Sequence, residues 1–268
     1  MMETAIRKKV ALITGASSGI GKAFAELLAS EDYDLVLVSR NVDELNRIAG
    51  MEMTRNQTKV IPISLDLTEL HAVDKLVGEL AERGISPDVV INNAGVGLVG
   101  EVCKLEVEAQ LKMIDLNVRA MSDVAMKLLP EMLARNSGGI INVSSVVAFL
   151  PGPYMSVYYA SKAFVQSFSD SLAEELKDTK VQVMALCPGP VDTAFQATAG
   201  LDTERWFYKL LMPKTPESVA QAGWAGYKAG NRVVFPGLAE LLTAWAGKML
   251  PKLVLRPFIK LLQKPKQG

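Results

Sequence analysis

Short apolar runs alternate with longer stretches of helical periodicity from the start of the chain to about Phe235. Val10-Ala11-Leu12-Ile13-Thr14 is apolar without alternation, as in a strand buried on both faces, and Ile20, Ala23, Phe24, Leu27 and Leu28 then follow helical spacing. Residues 35–38 predict a second strand, and Asn41 stands as the cap of the next helix, with Glu44 placed to complete a capping box. Residues 59–63 predict a third strand, after which Thr68 is expected to cap a helix carrying Leu70, Val73, Val77 and Leu80. Residues 88–91 predict a fourth strand. A long helix is expected over about 106–134, with Val107, Leu111, Ile114, Val118, Met121, Ala125, Leu128 and Met132 on one stripe. Strand 140–143, a helix over 156–176 and strand 181–186 complete the pattern. Strands that lack alternation and are separated by helices imply a parallel sheet covered on both faces, a doubly wound α/β fold. The whole chain, 1–268, reads as a single domain, with a loop-rich region over 188–231 and a helical C-terminal extension over 237–268.

Composition narrows the chemistry. Lys+Arg and Asp+Glu both number 29, a balance that argues against a nucleic-acid partner. Cys103 and Cys187 are too few for a disulfide framework and have no partners at metal-ligand spacing, so no metal is expected. With His71 as the only histidine, zinc hydrolysis and Ser-His-Asp catalysis are both nearly excluded. The N-terminal segment has charges and too short an apolar run for a signal peptide, and the expected compartment is the cytoplasm.

Directly after the first strand comes Thr14-Gly15-Ala16-Ser17-Ser18-Gly19-Ile20-Gly21, which leads into a helix. Glycines permit a tight turn and a close phosphate, and the helix N-terminus supplies free N–H groups and the positive end of its dipole. The spacing G-x-x-x-G-x-G differs from G-x-G-x-x-G and lacks the Lys-Ser/Thr pair of a P-loop. Its place between strand and helix favours dinucleotide binding over a mere packing turn. An acid at the end of the second strand would hold ribose hydroxyls, but Ser39 stands there with Arg40 beside it. A guanidinium binds a 2′-phosphate that an acid would repel, so NADP(H) is favoured over NAD(H); otherwise Arg40 is an ordinary surface charge.

With Asp66-Leu67, Asn92-Asn93-Ala94-Gly95, Asn117, Ser145, Tyr158 with Lys162, and Pro188-Gly189 following in order, the sequence resembles the short-chain dehydrogenase/reductase family over about residues 8–193. The resemblance implies a Rossmann-like fold and an oxidoreductase interconverting carbonyl and alcohol. Tyr158 and Lys162 stand four residues apart on a predicted helix, about 40° apart around it. A nearby ammonium favours the phenolate, tuning a side chain otherwise titrating near pH ~10 for acid–base work. Tyr159 is the neighbouring candidate, and the family's Tyr-x-x-x-Lys pattern selects Tyr158. The resemblance further implies that Ser145 orients the substrate oxygen, with Ser144 the alternative as a structural hydroxyl. Asn117 would join a proton relay to Lys162, or bond a neighbouring carbonyl, or both. In the same reading Gly15, Ser17, Ser18, Gly19, Ile20 and Gly21 cradle the pyrophosphate, and Asp66 and Leu67 meet the adenine. Asn93, Ala94 and Gly95 lie near its ribose, Lys162 bonds the nicotinamide ribose, and Pro188, Gly189, Val191 and Thr193 pack around the nicotinamide.

Residues 232–235 are a candidate seventh strand, but the chain then continues into a segment rich in Leu, Trp245, Met249 and interleaved cations. That departure puts the family's common tetramer in doubt and leaves a homodimer through the helices bearing Asn117 and Tyr158. The extension has too many charges and two prolines, Pro251 and Pro257, to span a membrane. It reads as a helical cover, with peripheral membrane contact as the alternative. Val146–Met155, together with Phe195, Trp206, Phe207, Tyr208, Leu210, Leu211 and Met212, is expected to wall a lipophilic pocket for a hydrophobic ketone, aldehyde, acyl or steroid-like substrate. The rival function is a catalytically idle NADP(H)-binding or scaffolding protein of the same fold.

Overall fold

In the computed structural model, which describes residues 8–201 and 213–263, the apolar runs form one seven-stranded parallel sheet of order β3-β2-β1-β4-β5-β6-β7. Its strands are β1 (Val10–Thr14), β2 (Asp34–Ser39), β3 (Val60–Ser64), β4 (Val89–Asn92), β5 (Gly138–Val143), β6 (Val181–Leu186) and β7 (Val233–Val234). Register pairs Leu12 with Val36 and Val90, and Ile141 with Ile91 and Met184. Because successive side chains of a strand point to opposite faces, the unbroken apolar runs supply two cores at once.

On one face Ala11, Ile13, Leu35 and Leu37 pack against Phe24 and Leu28 of α1 (Gly19–Ser30), against α2 (Val42–Asn56), and, beyond the short helix α7 (Phe195–Ala199), against α8 (Pro216–Lys228). On the other, Leu12, Val36 and Val38 meet Leu76 and Leu80 of α3 (Ala72–Glu82), Val124 and Leu128 of α5 (Met121–Ala134), and Ala173 of α6 (Ser156–Glu175). Phe24 is fully buried, and burying a side chain of this size stabilises the fold by about 1.5–3 kcal/mol.

Two helix expectations are corrected. Thr68 caps nothing, because its N–H and hydroxyl both bond Asp66; α3 starts only after His71, and Leu70 is exposed. The long helix is interrupted: α4 (Val107–Ile114) passes through a π-helical turn, Asp115–Ala120, before α5. Its first turns bury Gln110 and Met113, and Val107, Leu111 and Ile114 of the expected stripe are exposed. This end of the helix overhangs the sheet, so only the positions turned toward β4's loop and α6 find a partner.

After β1 the chain builds outward through β2 and β3, then returns to lay β4 on β1's other side. The strand ends beside this reversal form the crevice where such sheets bind ligands. After β7, α9 (Leu238–Met249) lies on the 3-10 turn Val146–Phe149 and α10 (Lys252–Gln263) follows. Gly247 makes the close contact with that turn possible, since a Cβ there would stand 2.3 Å from the Phe149 carbonyl oxygen. Among the described residues no helix is long and apolar enough to cross a membrane.

Candidate active site

A cavity of about 1730 Å3 runs along the strand ends from the glycine turn to α9 and α10. Gly15, Ser17, Ser18, Gly19 and Ile20 line its polar end, with Arg40, Asp66 and Leu67 at the rim and Asn93, Ala94 and Gly95 on the floor. Gly19 has φ +52°, a left-handed conformation that favours glycine, and a Cβ there would meet Thr193 at 2.9 Å. Gly21 lies under the turn instead of on the cavity wall, where a Cβ would stand 2.3 Å from the Gly15 carbonyl oxygen. Ser18 stands at the N-cap of α1 but makes no side-chain capping bond, leaving the first amides directed at the cavity's end. This cradle fits the pyrophosphate of a dinucleotide.

Asn93 holds the cradle in shape. Its Nδ2 donates to the Thr14 and Gly15 carbonyls at 3.0 and 3.2 Å, and the Asn93 and Ala94 amides both donate to the Thr14 hydroxyl. The side chain expected near a ribose is thus committed to the turn. Arg40 extends its side chain into solvent, 72% exposed, with Nη1 3.7 Å from Asp66. Burial pushes Asp66 upward, but the Thr68 amide and hydroxyl and the Arg40 guanidinium outweigh it and hold the carboxyl below its ordinary range.

Midway along the cavity stand Ser145, Tyr158 and Lys162. Ser145 follows β5; its hydroxyl donates to the Pro188 carbonyl at 3.2 Å and accepts from the Val147 amide at 3.3 Å. Tyr158 and Lys162 project from the first turns of α6, with Lys162 Nζ 5.9 Å from the Tyr158 ring centre. Lys162 donates to the Val143 carbonyl at 2.8 Å, and burial lowers its pKa to about 8. Tyr158 departs from the expectation: burial, reinforced by Tyr159, pushes its phenol well above the ordinary value, and the Ser145 hydroxyl offsets this only in part. Desolvation decides the shift, with the Lys162 ammonium bonded to the Val143 carbonyl, and the phenol is held protonated.

Tyr159 is turned toward α10, where its hydroxyl accepts a hydrogen bond from Gln263, and burial raises it to about 12. Ser144 is structural, donating to the Lys162 carbonyl at 2.9 Å. Asn117 is not on the cavity wall. From the π-helical turn its Oδ1 accepts from the Val96 amide at 2.9 Å, and its Nδ2 donates to the Val96 carbonyl at 2.9 Å and to Ser161 Oγ at 3.0 Å. Ser161 in turn donates to the Tyr158 carbonyl at 2.7 Å. A Cβ at Gly95 would meet both Asn117 Oδ1 and Lys162 Nζ, at 3.2 and 3.4 Å, so Gly95 keeps the space between them open.

Two residues that shape the site, Gln196 and Glu240, carry no signal in the sequence. Gln196 bonds the Thr193 amide and the Val191 carbonyl, fixing the strip Pro188–Thr193 along the cavity. Phe195, expected on the pocket wall, lines the cavity and tilts against Tyr158 with centroids 5.4 Å apart. Glu240, buried in the first turn of α9, backs Gly189, and its Oε2 has no hydrogen-bond partner among the described residues. Gln196 and Glu240 both lie beyond β6, where no periodicity announces a fixed partner. At the far end the wall is apolar: Met113, Leu150, Met155, Leu201, Leu250 and Ile259. Trp206, Phe207, Tyr208, Leu210, Leu211 and Met212 lie outside the described residues.

A family model described as short chain dehydrogenase matches residues 9–204. An uncharacterized oxidoreductase of Staphylococcus aureus is 37% identical over 195 residues, 73% of this chain and 83% of that protein. Among solved structures, a short-chain dehydrogenase from Sphingobium yanoikuyae in complex with NADPH is 29% identical, with TM-score 0.80 and 97% of each chain covered. A bulky-bulky ketone specific alcohol dehydrogenase from Comamonas testosteroni is 27% identical, with TM-score 0.76 over 97% of this chain and 96% of that one. A short chain dehydrogenase/reductase from Burkholderia phymatum in complex with NAD is 26% identical, with TM-score 0.78 and 97% of each chain covered.

Proposed function

The chain belongs to the short-chain dehydrogenase family, and on that premise we propose that it reduces a lipophilic ketone or aldehyde with NADPH. The observation that carries the reading is the meeting of Tyr158, Ser145 and Lys162 where a polar, phosphate-fitting groove passes into an apolar chamber. When bound, the dinucleotide supplies a hydride to the carbonyl carbon. Gly15 to Ile20 hold its pyrophosphate, Asp66 and Leu67 flank the adenine end, and Pro188, Gly189, Val191 and Thr193 border the nicotinamide end.

Tyr158, kept protonated by burial, gives its proton to the carbonyl oxygen. The Ser145 hydroxyl turns from the Pro188 carbonyl to the same oxygen and holds it against the phenol. Lys162 stabilises the phenolate left behind. Asn117 acts as a positioning residue, tying the loop at Val96 and, through Ser161, the backbone of Tyr158. An idle NADP(H)-binding protein has no use for a buried phenol, hydroxyl and amine converging on one open space.

NADP(H) is supported by Ser39 in place of an acid and by Arg40 at the groove's rim. The apolar far wall supports an extended or cyclic hydrophobic substrate. A homodimer through α4 and α6 is supported by apolar side chains exposed there, Val107 (68%), Leu111 (50%) and Phe164 (42%). The proposed compartment is the cytoplasm, consistent with two unpaired cysteines. The test is a panel of carbonyl compounds of increasing chain length and ring size, assayed with NADPH and with NADH. Each added methylene should raise kcat/KM about fourfold until the chamber is filled. Best turnover on a small polar carbonyl would refute the lipophilic reading.

A further inference from the structure

The outward side of α9 is apolar and uncovered. Leu238, Leu241, Leu242, Trp245 and Met249 recur at helical spacing and are all exposed, Trp245 at 61%. A helix of a globular domain ordinarily turns such a stripe inward. Here the inward side of α9 carries Thr243 and Ala246 on the cavity wall instead. In α10, Leu253, Pro257 and Leu261 form a second exposed row, with Leu253 at 83%, and Arg256 and Lys260 run beside it. Leu255 and Ile259 are the buried members of α10, and both border the cavity.

Charge decides what covers these rows. Residues 238–268 contain six Lys or Arg and one acid, Glu240, in a chain that is neutral overall. Glu240 is buried behind Gly189 and offers the surface no negative charge. Two copies of the chain meeting through this face would set Lys248, Arg256 and Lys260 against the same cations. An anionic phospholipid surface complements both features: apolar side chains enter the headgroup boundary, a tryptophan sits at its level, and cations meet the phosphates.

We propose that α9 and α10 dock the protein onto an anionic phospholipid membrane. Because the inner sides of these helices wall the apolar end of the cavity, docking places that end next to the lipid from which a lipophilic carbonyl compound would enter. The substrate route rests on the oxidoreductase reading; the docking does not, and its test needs no turnover.

The experiment is flotation of the full chain with vesicles of phosphatidylcholine alone or mixed with phosphatidylglycerol. Binding should be roughly 100-fold stronger to the anionic vesicles, from three surface cations, and should weaken with added salt. Trp245→Glu and, separately, Leu253→Glu should each lower binding at least tenfold, with unchanged melting temperature and unchanged reduction of a short, water-soluble carbonyl. Leu242→Glu serves as a third variant where either of these alters folding. Equal flotation of wild type and all variants, or no binding to anionic vesicles, would overturn the proposal. So would a solution dimer that Trp245→Glu breaks while wild type ignores vesicles, since the occupant would then be a second copy.

Discussion

Asn117 satisfies both backbone groups of Val96, accepting from its amide and donating to its carbonyl at 2.9 Å each. One side chain from a π-helical turn thereby fixes the loop after β4, and with it Gly95, at the edge of the reaction site. π-Turns inside α-helices are frequent at functional sites, and this one brings a buried amide to a backbone that has no strand partner. Asn117→Ala leaves two half-buried backbone groups of Val96 without their partner and should cost about 1–3 kcal/mol of stability. Turnover should fall as well, with KM for the carbonyl less affected than kcat. Thermal unfolding and steady-state kinetics check this; an unchanged melting temperature would contradict it.

Arg40 and Ser39 set cofactor preference in this account. Ser39→Asp combined with Arg40→Ala should lower NADPH affinity about 10–100-fold, the worth of charge-assisted bonds to a phosphate, and raise that for NADH. Titration of both dinucleotides by fluorescence reads the ratio. A double variant that still favours NADPH would move phosphate recognition to another residue.

The glycine turn has no room for a side chain at its third glycine. Gly21→Ala puts a methyl 2.3 Å from the Gly15 carbonyl oxygen and 2.5 Å from Asn93 Nδ2. Overpacking of this kind costs about 1–3 kcal/mol. Dinucleotide affinity should fall together with the melting temperature, since Asn93 is the group that holds the cradle.

Lys162 gives the pH dependence a definite sign. Burial lowers its pKa from 10.5 to about 8, so above pH 8 the site loses the charge that stabilises the phenolate. Reduction should therefore decline on the alkaline side with an apparent pKa near 8. Between about 8 and 10.5 the unfolded chain binds a proton that the folded site has released, and stability gained from this group rises with pH across that window. Lys162→Met should remove that rise, and chemical denaturation of both proteins at pH 7 and pH 10 measures the difference. Tyr158 acts oppositely above pH ~10, where the folded phenol keeps the proton that an unfolded tyrosine releases.

The sheet was legible because its strands are buried on both faces: Leu35 to Val38 alternates between two cores, so every position is apolar. The cap at Asn41 was equally local, and its Oδ1 accepts from the Glu44 amide at 3.1 Å. The order of Gly15, Ser145, Tyr158 and Lys162 marked the crevice, since the first two follow strands and the last two fall in the first two turns of a helix that periodicity defines. What periodicity hid was tertiary. Nothing in the spacing of Val107, Leu111 and Ile114 shows that the helix overhangs the sheet, or that Asn117 turns away from the cavity. The rise in Tyr158 depends on burial among Met113, Phe195 and their neighbours, distant in sequence. A spacing of four residues brought Lys162 near but could not reveal that Val143 holds its ammonium.

The central claim is that Tyr158 donates the proton, and the most direct measurement compares Tyr158→Phe with wild type on the best carbonyl of the panel. NADPH oxidation should fall about 10²–10⁴-fold, the usual contribution of a positioned acid, while NADPH affinity and melting temperature stay unchanged. A Tyr158→Phe protein that reduces the same carbonyl at near wild-type rate would contradict the account.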